Sequence, residues 1–171
     1  MRHGKKKSKT KHHMSHVATA PQSDRTFQVR IDDATHEVRD PILTGKQILE
    51  LAGKRPASEY VVLQQLKDGL LEEIRLEETT DLRENGVERF LTFQSDRTYR
   101  FILDEREFVW PFAKISGAKL KELAGVSATE YEVWQEVRKA DDRLIGDKDK
   151  ANVDDKGTER FFTAKKSTTE G

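Results

Sequence analysis

Hydrophobic and polar positions alternate from Phe27 through Val29 to Ile31, with Gln28 and Arg30 between them, and the alternation returns at Tyr99, Phe101 and Leu103. A period of two is that of a strand buried on one face. An Asp32-Asp33 turn leads into a second strand through Val38, matched by Phe108 to Phe112, so each stretch opens with a hairpin. At Thr44 the period lengthens. Gln47, three residues on, completes a capping box, Ile48, Leu51 and Ala52 are predicted to share one helix face, and Gly53 ends the helix. Tyr60 to Leu66 and Tyr131 to Val137 then read as β-rich runs. The chain continues through Ile74 or Ile145 to a last strand at Glu88 to Phe93 or Glu159 to Ala164.

These pairings make an internal repeat. A shift of 72 residues lays Phe27-Gln-Val-Arg-Ile-Asp32 on Tyr99-Arg-Phe-Ile-Leu-Asp104 and Glu50-Leu-Ala-Gly53 on Glu122-Leu-Ala-Gly125. After a one-residue deletion, a shift of 71 lays Glu59-Tyr60 on Glu130-Tyr131 and Glu88-Arg-Phe90 on Glu159-Arg-Phe161. A hairpin, a helix across one sheet face and further strands ending in a central one is the order of a β-grasp fold. The predicted class is therefore α+β, with two such domains in series. The expected layout is an arm at 1–25, domains at 26–94 and 98–164 joined by 95–97, and a tail at 165–171. A domain this small buries only about 60% of its unfolded surface. Packing the copies on each other, or on neighbouring molecules, would add stability.

Composition changes the picture at the two ends. Residues 1 to 20 hold six basic side chains and no acid, and the remainder carries 25 basic against 31 acidic residues. That balance argues against a nucleic-acid binder built on the folded part and leaves only the arm for weak contact. The arm lacks large apolar side chains and is expected to be disordered. It holds His3, His12, His13 and His16, so a metal-binding tract is the sharper alternative there. The chain has no cysteine, so any thioester chemistry must use another protein's sulfur. No apolar run reaches the roughly 18 to 20 residues of a membrane span, no signal-type apolar region follows the basic start, and a cytoplasmic protein is expected. Neither a catalytic triad nor a phosphate-cradling glycine loop occurs in the folded part, so no cofactor, metal or enzymatic activity is expected.

The order of elements and the polar segment ending in Gly171 resemble ubiquitin. Ile48-Leu-Glu-Leu-Ala-Gly53, Asp81-Leu-Arg-Glu-Asn-Gly-Val-Glu-Arg-Phe90 and Asp142-Arg-Leu-Ile-Gly146 resemble the bacterial multiubiquitin-domain family, over about residues 26 to 171. The resemblance implies a protein modifier. A ubiquitin-activating-like enzyme would adenylate the Gly171 carboxylate, a conjugating-like enzyme would join it to a target through an isopeptide or related bond, and a JAB-type metalloprotease would reverse the bond. It also suggests a stress or antiviral setting. Ubiquitin ends in two glycines, whereas here Glu170 precedes a single Gly171. A residue without a β-carbon is what a narrow channel to ATP requires, and Gly171 meets that need alone.

The remaining candidates lie on the outer sheet faces. Leu63 and Leu91 in the first copy, and Trp134 and Phe162 in the second, are expected to point away from the domain cores, in positions similar to ubiquitin's apolar recognition patch. Binding of partners, self-assembly of the chain into filaments or rings, and packing between the two copies are the alternatives for them. Glu88-Arg89 and Glu159-Arg160 are read as solvated ion pairs at a strand edge.

Overall fold

The computed structural model describes residues 25–83, 88–154 and 157–167, and the expectations for the arm, apart from its last residue, and for Gly171 lie outside these residues. In the first repeat, β1 (Phe27–Ile31) and β2 (Ala34–Val38) form the hairpin. A short β3 (Ile42–Thr44), the helix α1 (Gly45–Leu51) and a 3-10 turn at Ala57–Glu59 follow. Then come β4 (Tyr60–Gln65), β5 (Leu71–Ile74), a short β6 (Thr79–Asp81) and β7 (Glu88–Gln94). The sheet order is β2-β1-β7-β4-β5, with β7 central and parallel to β1, the signature of a β-grasp.

The second repeat copies this with β8 (Tyr99–Leu103), β9 (Arg106–Trp110), β10 (Lys114–Ser116), α2 (Gly117–Ala124), β11 (Tyr131–Gln135), β12 (Arg143–Ile145), β13 (Lys150–Asn152) and β14 (Glu159–Lys165). Its sheet order is β9-β8-β14-β11-β12, and β14 runs parallel to β8. β9 stops at Trp110 rather than reaching Phe112, because Pro111 has no N–H for a ladder.

Local chemistry explains both helices. The Thr44 hydroxyl accepts from the Gln47 N–H and the Gln47 side chain accepts from the Thr44 N–H, which is the capping box read from the sequence. At α2 the Ser116 hydroxyl accepts from the Lys119 N–H, without the return bond, because a lysine side chain cannot accept. Gly53 and Gly125 follow the helices at φ 69° and 71°, a left-handed conformation that glycine adopts without a β-carbon clash. The buried face of α1 is Gly45, Ile48 and Leu49, so Leu51 is corrected to the outer side. Positions 45, 48, 49 and 52 follow the helical i, i+3, i+4, i+7 spacing, which Leu51 does not.

Each core has its own phenylalanine at the central strand. Phe90 packs with Val29, Ile31, Ile48, Leu49 and Val62. Phe161 packs with Phe101 and Leu103, its ring edge-on to Phe101 at 5.8 Å. A second device recurs in both repeats. Asp32 holds the hairpin turn at φ 53° and accepts from the Thr92 N–H and Oγ1, both at 2.8 Å. Asp104, at φ 49°, accepts from the Thr163 N–H and Oγ1 at 2.7 and 2.9 Å. The carboxylate thereby fastens the first hairpin to the last strand, beyond the reach of the sheet ladder.

Candidate functional site

The outer faces of the two sheets have different fates. In the first repeat Leu63 faces Leu91 across the β4–β7 ladder. Leu63 is fully buried, and it belongs with Leu71 to one continuous apolar cluster that includes Phe101, Val109, Trp110 and Phe161 of the second repeat. Leu91 and Phe93 pack against the same cluster. The cover is an aromatic corner. Trp110 and Phe112 stand 5.9 and 5.7 Å from the Phe93 ring and 6.0 Å from each other. The Trp110 indole N–H donates to the Lys114 carbonyl at 3.1 Å, and Lys119 Nζ lies 6.0 Å over the indole ring.

Polar contacts seal the same seam: Arg106 reaches the Asp68 carbonyl at 2.8 Å and its carboxylate at 3.2 Å, and Thr98 donates to Glu73 at 2.6 Å. Of the alternatives for Leu63 and Leu91, packing between the copies is the one this arrangement realises.

In the second repeat the equivalent face is uncovered among the described residues. Trp134 sits between Leu144 and Phe162 in register, so three adjacent strands present one apolar row. Trp134 and Phe162 are half-buried, and Leu144 is 47% exposed. Around this row are the exposed charges Glu136, Arg138 and Arg160. Arg160 pairs with Glu136 at 3.0 Å, across the ladder. Glu159 instead accepts from Gln135 Nε2 at 2.5 Å. The expected Glu159–Arg160 pair at a strand edge is thus corrected. Adjacent residues on a strand point to opposite faces, and β14 is a central strand. The side chain of Glu88 lies outside the described residues.

One buried charge was not anticipated. Lys121 takes the helix position that Leu49 holds in the first repeat, and it is only 3% exposed. Its ammonium donates to the Ala128 carbonyl at 2.8 Å and pairs with Asp147 at 2.5 Å. The hydrogen bond from Lys121 holds the Asp147 carboxyl below its ordinary pKa of 3.8. A depressed carboxylate pKa contributes stability that is present above that ordinary value and lost as pH falls through the lowered one. Since removing one partner strands the other charge, Asp147→Ala is expected to lower the denaturant midpoint. Lys121→Leu, which copies the first repeat, is expected to hold or raise it.

β14 joins the candidate face to the tail. It carries Phe161 inward, Phe162 outward on the apolar row, and ends at Lys165, after which Lys166 and Ser167 are exposed. The Lys166 N–H still donates to the Glu130 carbonyl at 2.8 Å, so the chain leaves the domain from an anchored point. Among the described residues no group of three His, Cys, Asp or Glu side chains stands ready to hold a metal, and no helix is long and apolar enough to cross a membrane.

Two β-grasp units in series, each with an outward sheet face and the last leading into a polar tail, define a tandem ubiquitin-like protein. The multiubiquitin family model matches residues 27–95 and again residues 99–166. The chain belongs to the multiubiquitin family. No curated protein matches the sequence.

Proposed function

We propose that this protein is a ubiquitin-like modifier attached to other molecules through the Gly171 carboxylate. The reading is carried by the path of β14, which delivers the tail from a fixed exit beside the Trp134–Phe162 row. An enzyme that grips this row would have the tail within its reach. The segment from Lys166 to Gly171 can extend roughly 20 Å when unfolded, enough to enter a cleft while the domain stays outside.

The chemistry belongs to the partners. An activating enzyme joins the carboxylate to AMP with loss of pyrophosphate from ATP, and a partner cysteine displaces AMP to form a thioester. A target amine or hydroxyl then displaces the thiol. This chain supplies the acyl group and the recognition face. A ubiquitin-activating-like enzyme, a conjugating-like enzyme and a JAB-type metalloprotease are the partners this reading requires.

The test is co-expression with such enzymes followed by trypsin digestion and mass spectrometry. Cleavage after Lys166 would leave Ser-Thr-Thr-Glu-Gly, residues 167 to 171, on the modified side chain. Finding that remnant, and losing it when Gly171 is deleted, is the expected outcome. Conjugates that persist without Gly171 would overturn the assignment.

A further inference from the structure

We propose that copies of this chain associate head to tail by repeating, between molecules, the contact that joins the two repeats within one. The internal contact has a face and a corner. The face is Leu63, Leu91 and Phe93 on the first sheet, and the corner is Trp110, Phe112 and Leu123 of the second repeat. The internal contact leaves one face and one corner unused, at opposite repeats. The unused face is the Leu144–Trp134–Phe162 row. The unused corner, by the repeat register, is Val38, Asp40 and Leu51.

Three observations favour a second copy as the occupant. First, the tryptophan changes sides: in the internal contact it stands on the corner, as Trp110, with Leu63 and Phe93 on the face, whereas at the free ends it stands on the face, as Trp134, with Ala164 at the place of Phe93 and Val38 and Asp40 on the corner. Val38 is itself buried in the core of the first repeat, so Leu51 is the exposed apolar side chain of that corner. Second, the rim is retained. Arg89 and Glu122 line the cleft between the repeats, and their counterparts Arg160 and Glu50 are the same residues on the unused face and corner. Third, of the large hydrophobic side chains that are exposed among the described residues, all but Phe112 fall at these two ends. Leu144 and Val137 are at one, and Leu51 and Ile42 at the other. Leu51, 36% exposed, occupies the place of Leu123, which packs against the seam.

A face that meets a different surface makes a heterologous contact, which closes into a ring or continues as an open chain. The edge strands agree with this. β5 lies beside β9 at the internal contact, and the corresponding strands β12 and β2 are the outer edges at the two free ends.

The experiment is sedimentation of the full chain over a range of concentrations, with Leu144→Asp and Leu51→Asp as end-specific variants. Both side chains are exposed, and circular dichroism checks that each variant remains folded. The wild type is expected to grow beyond a dimer with concentration, and each variant alone to weaken association by about tenfold or more. Each variant keeps one intact end, so an equimolar mixture is expected to form a two-chain species and stop there. A wild type that stays monomeric overturns the proposal and leaves the Trp134 face to a different protein. An assembly that Leu51→Asp leaves intact overturns it as well, because a face-to-face dimer would not need that corner.

Discussion

Trp110→Ala is expected to cost about 3–5 kcal/mol, the range for truncating a large buried aromatic. Its consequence extends beyond one repeat. Trp110 is 8% exposed and is packed on Phe93 from one side and Phe112 from another, while its indole N–H is satisfied by the Lys114 carbonyl. Removing it takes away the centre of the seam, and the exposed tie from Arg106 and the single part-buried bond from Thr98 are too few to hold the repeats together. The melt is therefore expected to split into two transitions, with Leu63 and Leu91 becoming accessible to a hydrophobic dye. Trp134 is the other tryptophan of the chain, so the fluorescence of this variant reports the second sheet alone. A single transition with a loss below about 1 kcal/mol would mean that the seam contributes little in solution.

The seam also shows where sequence reading stops. Internal repetition exposed the two domains, because pairs such as Gly53 and Gly125, or Phe90 and Phe161, have to satisfy the same backbone and core demands twice. Strand alternation correctly turned Phe90 inward and Leu91 outward. It could not say what covers an outward face, since that depends on the other repeat and not on the period within the segment. The clue lay in differences between the copies. Val38 and Asp40 on one corner become Trp110 and Phe112 on the other, and that aromatic pair marks the corner that packs on Phe93 of the other repeat.

Lys121 in place of Leu49 is a comparable signal with the opposite polarity. Its meaning depends on the helix face, which runs through Leu49 and not through Leu51. The three-residue strands β3, β6, β10 and β13 are too short for a period to register, and they form where the segment entering each helix lies beside the segment that follows β5 or β12. The Asp32–Thr92 and Asp104–Thr163 clasps were legible in principle, since both members of each pair recur at the repeat spacing.

Gly45→Ala and Gly117→Ala carry the second large expectation, because its sign runs against helix propensity. Alanine in place of glycine ordinarily stabilises a helix by up to about 1 kcal/mol. Here both glycines open their helices beneath the loop that follows β5 or β12. A β-carbon on Gly45 would stand 2.9 Å from the Ile74 carbonyl oxygen and closer still to that of Arg75. On Gly117 it would stand 2.7 Å from the Ile145 oxygen and closer still to that of Gly146. These are backbone atoms held in place: the Arg75 and Gly146 carbonyls accept from the Glu78 and Asp149 N–H groups. The same loops are tied to the helices, the Gly45 and Lys46 N–H groups donating to the Glu78 and Leu76 carbonyls and the Gly117 and Ala118 N–H groups to those of Asp149 and Asp147. Relief requires moving the helix off the sheet or the loop off the helix. Either motion opens the core beside Ile48 or Leu120. The cost is expected to reach about 3 kcal/mol, the upper part of the usual overpacking range. Since each change strikes one repeat, Gly45→Ala should lower the unfolding of the first domain and Gly117→Ala that of the second. The two are separable by hydrogen exchange of the β1 and β8 amides. Alanine variants as stable as the parent would mean that these helices do not sit against the β5 and β12 loops in solution.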